Sequence, residues 1–492
     1  MAVLSGCSGA SKPLYPAMPV LAAAAVRTPV PSPQHPNIVF VLTDDLSSDL
    51  VAEMPHVQAL EQRGMTFTNF TVTDSLCCPS RASIFTGEFP HNTGVRSNTA
   101  PDGGYAAYER NHDASKSFAV ALQHAGYLTG FEGKYLNAYD VNRSPANQPG
   151  WDFWDPIGGG GYRGYNYSMS LDGKLVRFGG DPRDYTNFTL NHYAVRFVHA
   201  AAARKRPFML EVASYSPHAP YVPAPQDEGS FPTVRAPRTP RWNTLPTDAP
   251  PWLAAHEPLN TDEISRLDHV YERRVEAVQS VDRMIGHIEA ELRRTHQYRN
   301  TVFVFSSDNG FHMGDYTLTT GKMTAFDTDV NVPLVVAGPG IAGGTVNSEP
   351  VENIDLAPTF EQLAGAPIPQ ATVDGHSFVP LLHGQHVPWR TYAGIEHLNP
   401  GSHPGDPDRQ RWLSGHLPSY NAVRTATFTY VAYADGEREF YNRATDPWEL
   451  HNVYQQLPAS RVAALNKIVA ALTTCHGYQQ CWQAAVPTAT AP

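Results

Sequence analysis

Short, nearly continuous apolar runs recur along the chain and predict buried parallel strands. They occupy residues 37–42 (NIVFVL), 208–212 (FMLEV) and 301–305 (TVFVF) and are rich in β-branched and aromatic side chains. A strand that is apolar at almost every position has both of its faces covered, as in the centre of a parallel sheet. The pattern therefore predicts an α/β protein whose sheet is buried under helices on both sides.

Helical periodicity separates these strands. Residues 263–292 carry apolar side chains at spacings of three and four, and shorter periodic segments at residues 117–124 and 354–363 finish before Gly126 and Gly365. A glycine just beyond a periodic segment is a common signal for a helix C-terminus. Strands that alternate with helices predict a large, mixed but mostly parallel sheet flanked by helices.

Polar side chains follow three of the predicted strands. Asp44 and Asp45 come after the first, His218 lies in the loop after the second, and Asp308 and Asn309 come after the third. Because open α/β sheets bind ligands at the carboxyl ends of their strands, we expect these groups to meet. Carboxylate and amide oxygens favour Ca²⁺ or Mg²⁺ over zinc as the bound ion.

Two segments lack a sustained period. Residues 139–182 contain a run of four glycines and many aromatic residues, and this composition predicts a long surface loop that forms a pocket wall. Residues 214–223 contain three prolines, which cannot donate to a sheet, and we expect them to hold the chain extended around His218.

The character of the sequence changes after residue 382, and the boundary between two domains is predicted near residue 388. The main α/β domain is predicted over residues 37–387, and a smaller α+β domain is predicted over residues 388–492. Residues 1–36 precede both domains as a tail. The elements predicted in the smaller domain are strands at residues 392–397, 428–433 and 439–441 and a helix at residues 460–473.

Composition and charge restrict the partners of the chain. The 492 residues include 36 lysines and arginines against 47 aspartates and glutamates, which gives a formal net charge of −11. No stretch concentrates basic residues into a patch that would follow a phosphate backbone. The sequence thus predicts no nucleic-acid partner, whereas an anionic substrate stays compatible with a local cluster of cations.

The N-terminus predicts export. The segment from Leu4 to Cys7 resembles a bacterial lipobox, and residues 8–36 form an Ala- and Pro-rich tether, so Cys7 would carry a membrane anchor. The alternative is an unstructured tail that contains a cysteine by chance. Cys475 and Cys481 could close a small disulfide in an oxidising compartment. We therefore expect an envelope lipoprotein or a secreted protein.

The segment at residues 77–87 (CCPSRASIFTG) carries the sharpest chemical signal. Pro79 suits a first helical turn and Gly87 suits a helix end, so Cys77 is predicted to lie at a helix N-terminus. Arg81 follows four residues later, on the same helical face. Its positive charge and the helix dipole together favour an anion beside Cys77.

This segment resembles the signature of the type I sulfatases, members of the alkaline phosphatase superfamily whose cysteine is oxidised to Cα-formylglycine. The resemblance covers residues 37–382, and residues 446–452 resemble the family's C-terminal domain. Segments that match in the family's order are Asp44-Asp45, residues 126–134, residues 216–220, residues 308–322 and residues 332–334.

The resemblance implies how a sulfate monoester would be cleaved. Hydrated formylglycine at Cys77 presents a geminal diol, one oxygen of which attacks sulfur, and loss of a proton from the other hydroxyl then expels sulfate. Lys134 and Lys322 match lysines that hold sulfate oxygens. His218 matches the histidine beside the leaving group and is the candidate general acid, and Arg81 adds positive charge.

The resemblance also implies a cofactor and a partner. The expected metal ligands are Asp44, Asp45, Asp308, Asn309 and the modified Cys77, with Ca²⁺ as the family's ion and Mg²⁺ as the alternative. A formylglycine-generating maturation enzyme would act on the chain before it becomes active.

One position departs from the family. A histidine often stands two residues after the first sulfate-binding lysine, but this chain has Leu136 there, followed by Asn137. An asparagine is a poor base. The base that expels sulfate is therefore open between His218 and His312.

The substrate class is indicated by two neighbouring features. Cys78 and residues 134–137 (KYLN) resemble the N-acetylglucosamine-6-sulfatase branch, which favours a sulfated sugar over an aryl sulfate. Two other functions stay open. One is a phosphate or phosphonate ester hydrolase of the same superfamily, and the other is a lipoprotein that binds sulfated glycans without turnover.

Overall fold

The computed structural model describes residues 35–399, 406, 408 and 417–487. The predicted lipobox with Cys7, and the tether up to residue 34, lie outside the described residues. Among the described residues, none of the helices combines the length and apolar character needed to span a bilayer.

A ten-stranded mixed sheet lies at the centre of the main domain. The strands of this domain are β1 (Asn37–Thr43), β2 (Met65–Phe67), β3 (Phe70–Thr71), β4 (Leu128–Gly133), β5 (Phe153–Gly158), β6 (Ser168–Leu171), β7 (Lys174–Arg177), β8 (Phe208–Ala213), β9 (Thr301–Ser307), β10 (His312–Met313), β11 (Thr320–Gly321), β12 (Leu334–Ala337), β13 (Thr345–Asn347) and β14 (Val351–Glu352). The large sheet has the order β13-β2-β12-β9-β1-β8-β4-β5-β6-β7. Its five central strands, from β9 to β5, run parallel.

The register of the central strands aligns the loops that leave them. Thr43 at the end of β1 pairs with Ser307 at the end of β9, and the Asp308 N–H donates to the Thr43 carbonyl at 3.1 Å. The next residues, Asp44 and Asp308, therefore leave the sheet at the same level. This confirms that polar groups after separate strands meet at one sheet edge.

Helices cover both faces of the sheet. They are α1 (Pro55–Arg63), α2 (Cys77–Thr86), α3 (Pro90–Thr93), α4 (Gly104–Arg110), α5 (Phe118–His124), α6 (Thr186–Arg204), α7 (Pro251–Ala254), α8 (Thr261–Arg294), α9 (Asp327–Val330), α10 (Leu356–Ala364) and α11 (Val379–Leu382). Alternate residues of β1 enter two separate apolar clusters, with Phe40 on one face and Val41 on the other. Burial of both faces explains why the strand is apolar at every position.

The C-terminal domain contains a separate antiparallel sheet. Its elements are β15 (Ala393–His397), β16 (Tyr420–Arg424), β17 (Thr429–Tyr433), β18 (Arg438–Tyr441), α12 (Ala459–Leu472) and α13 (Gly477–Ala485). Cys475, in the connection between the two helices, forms a disulfide with Cys481 of α13, which confirms the predicted pairing. The predicted fold class is thus confirmed.

Two local predictions were wrong. Residues 139–182 contain the strands β5, β6 and β7 at one edge of the large sheet. The prediction failed because β5 is held by pairing with β4, which lies outside this segment, and such pairing leaves no pattern in the local sequence. Residues 214–223 form turns instead of an extended segment. The His218 N–H donates to the Tyr215 carbonyl at 3.0 Å and the Tyr221 N–H to the His218 carbonyl at 3.1 Å.

Candidate active site

The helix that carries the cysteine motif begins at the predicted residue. α2 starts at Cys77 and ends before Gly87, which has the left-handed φ of 72° that favours glycine. Pro79 lies in its first turn, where a missing N–H costs nothing. The positive end of the helix dipole is therefore directed at the Cys77 side chain.

Charged groups surround the Cys77 thiol, which is fully buried. Its Sγ lies 2.8 Å from Lys322 Nζ, 3.3 Å from Asp44 Oδ1 and 3.5 Å from Asp408 Oδ2. Burial, together with the Asp408 and Asp44 carboxylates, raises the pKa of the Cys77 thiol well above its ordinary value. An unmodified Cys77 is thus a thiol with little thiolate character and a poor nucleophile.

Three buried carboxylates each pair with a buried cation. The pairs are Asp44 Oδ2 with Lys134 Nζ at 2.6 Å, Asp45 Oδ1 with Lys322 Nζ at 2.6 Å, and Asp308 Oδ2 with Arg81 Nε at 2.8 Å. Burial raises the pKa of Asp44, whereas for Asp308 the cations, Arg81 first, outweigh burial and lower the pKa to about 2. The cations thus stabilise a concentration of negative charge that burial alone would oppose.

Backbone geometry brings one of the lysines into the cluster. Gly133 precedes Lys134 with φ of 102°, and a Cβ atom at this glycine would lie 2.0 Å from the Ala213 carbonyl oxygen. Only glycine allows this approach, which lets the Lys134 N–H donate to the same carbonyl at 2.8 Å. The end of β4 is thereby held against β8, and the lysine side chain enters the site.

The donor atoms fit a hard divalent cation. Single ligand atoms of Asp44, Asp45, Cys77 and His218 lie within 4.8 Å of one another. Asn309 donates through Nδ2 to Asp45 Oδ1 at 2.7 Å, but its buried Oδ1 has no hydrogen-bond partner among the described residues. A buried carbonyl oxygen without a donor, beside several carboxylates, is suited to Ca²⁺ or Mg²⁺ coordination.

The orientation of His218 is fixed through both of its ring nitrogens. Nδ1 lies 2.7 Å from the Ala219 carbonyl, which can only accept, so Nδ1 carries a proton. Nε2 lies 2.8 Å from Asp408 Oδ1 and 3.6 Å from Asp45 Oδ2. Burial lowers the pKa of His218, but these carboxylates outweigh burial and raise it to about 9. His218 is therefore a cationic donor directed into the site.

The position that departs from the family lies in the apolar core. Leu136 belongs to the large apolar cluster, and Asn137 next to it has no side-chain hydrogen bond among the described residues. His312 is buried, and its Nδ1 lies 3.0 Å from Asp329 Oδ2, while its Nε2 has no partner in the described part of the chain. Leu136 thus provides no proton acceptor.

Sequence reasoning missed two aspartates of the C-terminal domain. Asp408 bridges the cleft, since its Oδ1 lies 3.2 Å from Lys322 Nζ as well as facing His218. Asn98 donates through Nδ2 to Asp408 Oδ2 at 2.9 Å and to Asp406 Oδ1 at 3.2 Å. The only local signal was an acidic pair in a polar segment, which is typical of any surface loop.

An aromatic residue of the glycine-rich segment also borders the site. The Tyr162 ring centroid lies 5.1 Å from Lys134 Nζ and 4.6 Å from the His218 ring centroid. Tyr162 is half-buried and lies in the turn that follows β5. One residue of the segment 139–182 thus lies beside Lys134 and His218.

All the site residues predicted from the sequence lie in one contact network. The arrangement pairs a buried cysteine with cations that can hold an anion, oxygen donors that suit a divalent ion, and a protonated histidine. Its members are Asp44, Asp45, Cys77, Arg81, Lys134, His218, Asp308, Asn309 and Lys322.

Comparison with known proteins identifies relatives with the same fold. The family described as Sulfatase matches residues 36–366, and N-sulphoglucosamine sulphohydrolase, C-terminal, matches residues 318–474. The N-acetylglucosamine-6-sulfatase of Homo sapiens is 30% identical over 474 residues, which cover 90% of this chain and 85% of the relative.

Two solved structures share the fold. BT4656 in complex with its substrate D-glucosamine-2-N,6-O-disulfate superposes with a TM-score of 0.75 and 20% identity over 91% of this chain and 98% of that chain. The phosphonate monoester hydrolase SpPMH of Silicibacter pomeroyi gives a TM-score of 0.65 and 24% identity over 88% of this chain and 93% of that chain. These likenesses agree with an alkaline-phosphatase-like fold.

Proposed function

Since the chain belongs to the sulfatase family and is a sulfuric ester hydrolase, we propose that it cleaves the 6-O-sulfate of glucosamine units in sulfated glycans. The chemistry would proceed through Cα-formylglycine made from Cys77 and a bound Ca²⁺ or Mg²⁺. The observation that carries this proposal is the position of Cys77, at a helix N-terminus and 2.8 Å from Lys322 Nζ, among carboxylates.

The choice of substrate has two supports. The relatives named N-acetylglucosamine-6-sulfatase match 90% of this chain at 30% identity. In addition, Asp406 and Asp408 offer acceptors for sugar hydroxyl groups, and Tyr162 offers an aromatic face for the apolar side of a sugar ring.

Two groups would supply the chemistry that side chains lack. Formylglycine, when hydrated, supplies one hydroxyl that attacks sulfur and a second whose deprotonation releases sulfate. A divalent cation held by Asp44, Asp45, Asp308 and Asn309 supplies positive charge that lowers the pKa of the attacking hydroxyl.

The chain's own residues hold the sulfate group and move the protons. Lys134 and Lys322 lie beside Cys77 and would bind sulfate oxygens, whose charge grows in the transition state. His218 would give its Nε2 proton to the leaving alcohol oxygen. The neutral imidazole could then accept the proton of the second hydroxyl, which makes His218 the base that Leu136 does not provide.

The substrate proposal is tested by matched esters. The protein is produced together with a formylglycine-generating enzyme and assayed for sulfate release from N-acetylglucosamine-6-sulfate and 4-nitrophenyl sulfate, and for alcohol release from a phenyl phosphonate monoester. We expect the highest kcat/KM with the sugar sulfate and loss of turnover after chelation of divalent ions. A higher kcat/KM with the phosphonate would assign the chain to phosphonate hydrolysis instead. Saturable binding of the sugar sulfate without release would identify a non-catalytic binder.

Export and lipid attachment form a second part of the proposal. The lipobox-like segment from Leu4 to Cys7 supports a tether, and the disulfide between Cys475 and Cys481 supports an oxidising compartment. Labelling with a radioactive fatty acid in a bacterial host should mark the wild-type chain and not Cys7→Ala. Equal labelling of the two chains would refute attachment at Cys7.

A further inference from the structure

Helix α8 places a buried arginine beneath the site. Arg274 is 0% exposed, and its Nη2 donates to the Asp45 carbonyl oxygen at 2.6 Å. Its Nε and Nη1 have no hydrogen-bond partner, and it forms no carboxylate ion pair, among the described residues. A buried guanidinium without a counter-ion is costly, and its retention calls for a specific role.

Arg274 contacts three of the loops that bring site residues together. The first loop follows β1 and contains Asp45, whose carbonyl accepts from Arg274. The second follows β9, where the ring centroid of Phe311, two residues after Asn309, lies 4.2 Å from Arg274 Cζ. The third follows β8, where the ring centroid of Tyr221, three residues after His218, lies 5.9 Å from Arg274 Cζ. Both rings present their faces to the cation. One guanidinium thus joins the loops that carry Asp45, Asn309 and His218.

The contact with Asp45 involves a strained backbone. Asp45 has φ of 63°, a left-handed conformation that L-residues other than glycine adopt rarely. In this conformation its carbonyl faces Arg274, while its carboxylate faces Asn309 and Lys322, at 2.7 and 2.6 Å. Without the arginine, the carbonyl would be buried without a donor. The left-handed conformation would keep only the Asp45 N–H bond to Asp308 Oδ1 at 3.2 Å and the carboxylate contacts.

We propose that Arg274 is a positioning residue that holds Asp45 in its left-handed conformation and thereby sets the affinity of the site for its divalent cation. This inference rests on the metal centre of the proposed function. The proposal also predicts the direction in which the affinity for the cation changes when Arg274 is replaced. If Arg274 acted only through its charge, removing that charge would tighten the binding of a cation, whereas loss of positioning weakens it.

Calorimetric titration with Ca²⁺ tests the proposal on chelator-treated protein. Arg274→Met removes the donor and the charge, and Arg274→Lys keeps the charge but loses the planar guanidinium. We expect both to bind Ca²⁺ about 10- to 100-fold more weakly than wild type, as for other groups that orient metal ligands. Arg274→Lys keeps the test informative if the methionine variant does not fold.

Arg390→Lys serves as the matched control, since Arg390 is also buried but pairs with Glu352 and Asp355 away from the site. It should lower the melting temperature and leave the Ca²⁺ affinity unchanged. Arg274 variants with wild-type or tighter Ca²⁺ affinity would overturn the positioning role while leaving the metal centre intact. Wild-type protein that binds no divalent cation would overturn both this inference and the proposed metal centre.

Discussion

Two buried clusters of charge in this chain are used in opposite ways. At the junction with the C-terminal domain, Arg390 pairs with Glu352 and with Asp355. Backbone N–H groups donate to the carboxylate oxygens that Arg390 does not contact. In the cleft around Cys77, the side chains are equally buried. There, however, an acceptor, Asn309 Oδ1, has no partner among the described residues, and neither has Arg81 Nη2, whereas at the junction the unpartnered atom is a donor, Arg390 Nε.

The difference shows what separates a structural ion-pair network from a reactive one. The junction carboxylates are fully satisfied by protein groups, so none of their oxygens is left for a ligand. In the cleft, four carboxylates converge from three segments, and an acceptor atom is left for a ligand. This arrangement has a cost in stability that the rest of the fold must offset. Substitutions in the two clusters should therefore affect different quantities.

The largest effect is expected at Cys77. Cys77→Ala removes the precursor of the proposed nucleophile, and kcat for sulfate release should fall by about 10⁴-fold or more. Cys78→Ala is the matched control, because Cys78 is the adjacent buried cysteine and belongs to the apolar cluster. It should keep kcat within about tenfold of wild type while lowering the melting temperature. Comparable loss in both variants would show that Cys77 acts only through packing.

The next largest effect is expected at Lys322. Its Nζ lies beside Cys77 Sγ and Asp45, so Lys322→Ala removes a cation where charge develops on the sulfate oxygens. By analogy with other groups that stabilise developing charge, kcat should fall by about 10²- to 10³-fold. Lys116→Ala is the control, since Lys116 pairs with Glu88 and Asp113 outside the cleft. If steady-state kinetics show equal losses for the two lysines, the sulfate-binding role is wrong.

The junction should respond in stability instead. Arg390→Met leaves Glu352 and Asp355 buried without their cation, and the free energy of unfolding should fall by about 3–5 kcal/mol. The kcat of the folded variant at 25 °C should stay at the wild-type value. Denaturant unfolding followed by circular dichroism measures the first quantity and sulfate release the second. A fall in kcat without a fall in stability would reverse the assigned roles.

The smallest effect is expected at Glu211, and it is a dependence of the stability of the protein on pH. Glu211 on β8 is fully buried, both of its carboxylate oxygens lack a hydrogen-bond partner in the described part of the chain, and burial raises its pKa to about 8. Between its ordinary pKa near 4.5 and pH 8, only the folded state holds the proton. Wild-type stability therefore falls as pH rises through this range.

Glu211→Gln removes that dependence. The variant should gain stability over wild type by on the order of 1 kcal/mol per pH unit between pH 5 and 8, and the gain should level off above pH 8. Unfolding curves recorded at several pH values give this difference directly. A difference that stays constant with pH would mean that Glu211 titrates normally in the folded protein.

The central strands and the cysteine helix were predictable because their signals are local. The apolar run before Asp44 reflects burial on both faces, and Pro79 and Gly87 mark the ends of α2. The strand β5 was missed, since its place depends on pairing with β4. Asp408 was missed for a related reason: its contacts with His218 and Lys322 join segments far apart in sequence.

Peptide mass spectrometry across Cys77 determines whether this residue carries the proposed nucleophile. The protein is taken from a host that modifies such motifs, and an aldehyde probe is applied before any alkylation. Conversion of the thiol to formylglycine lowers the residue mass by about 18 Da, and the probe detects the aldehyde even when hydration restores that mass. We predict that Cys77 carries the aldehyde while Cys78 stays a thiol. A Cys77 that remains a thiol in such a host would contradict the proposed nucleophile and favour a protein that binds sulfated glycans without cleaving them.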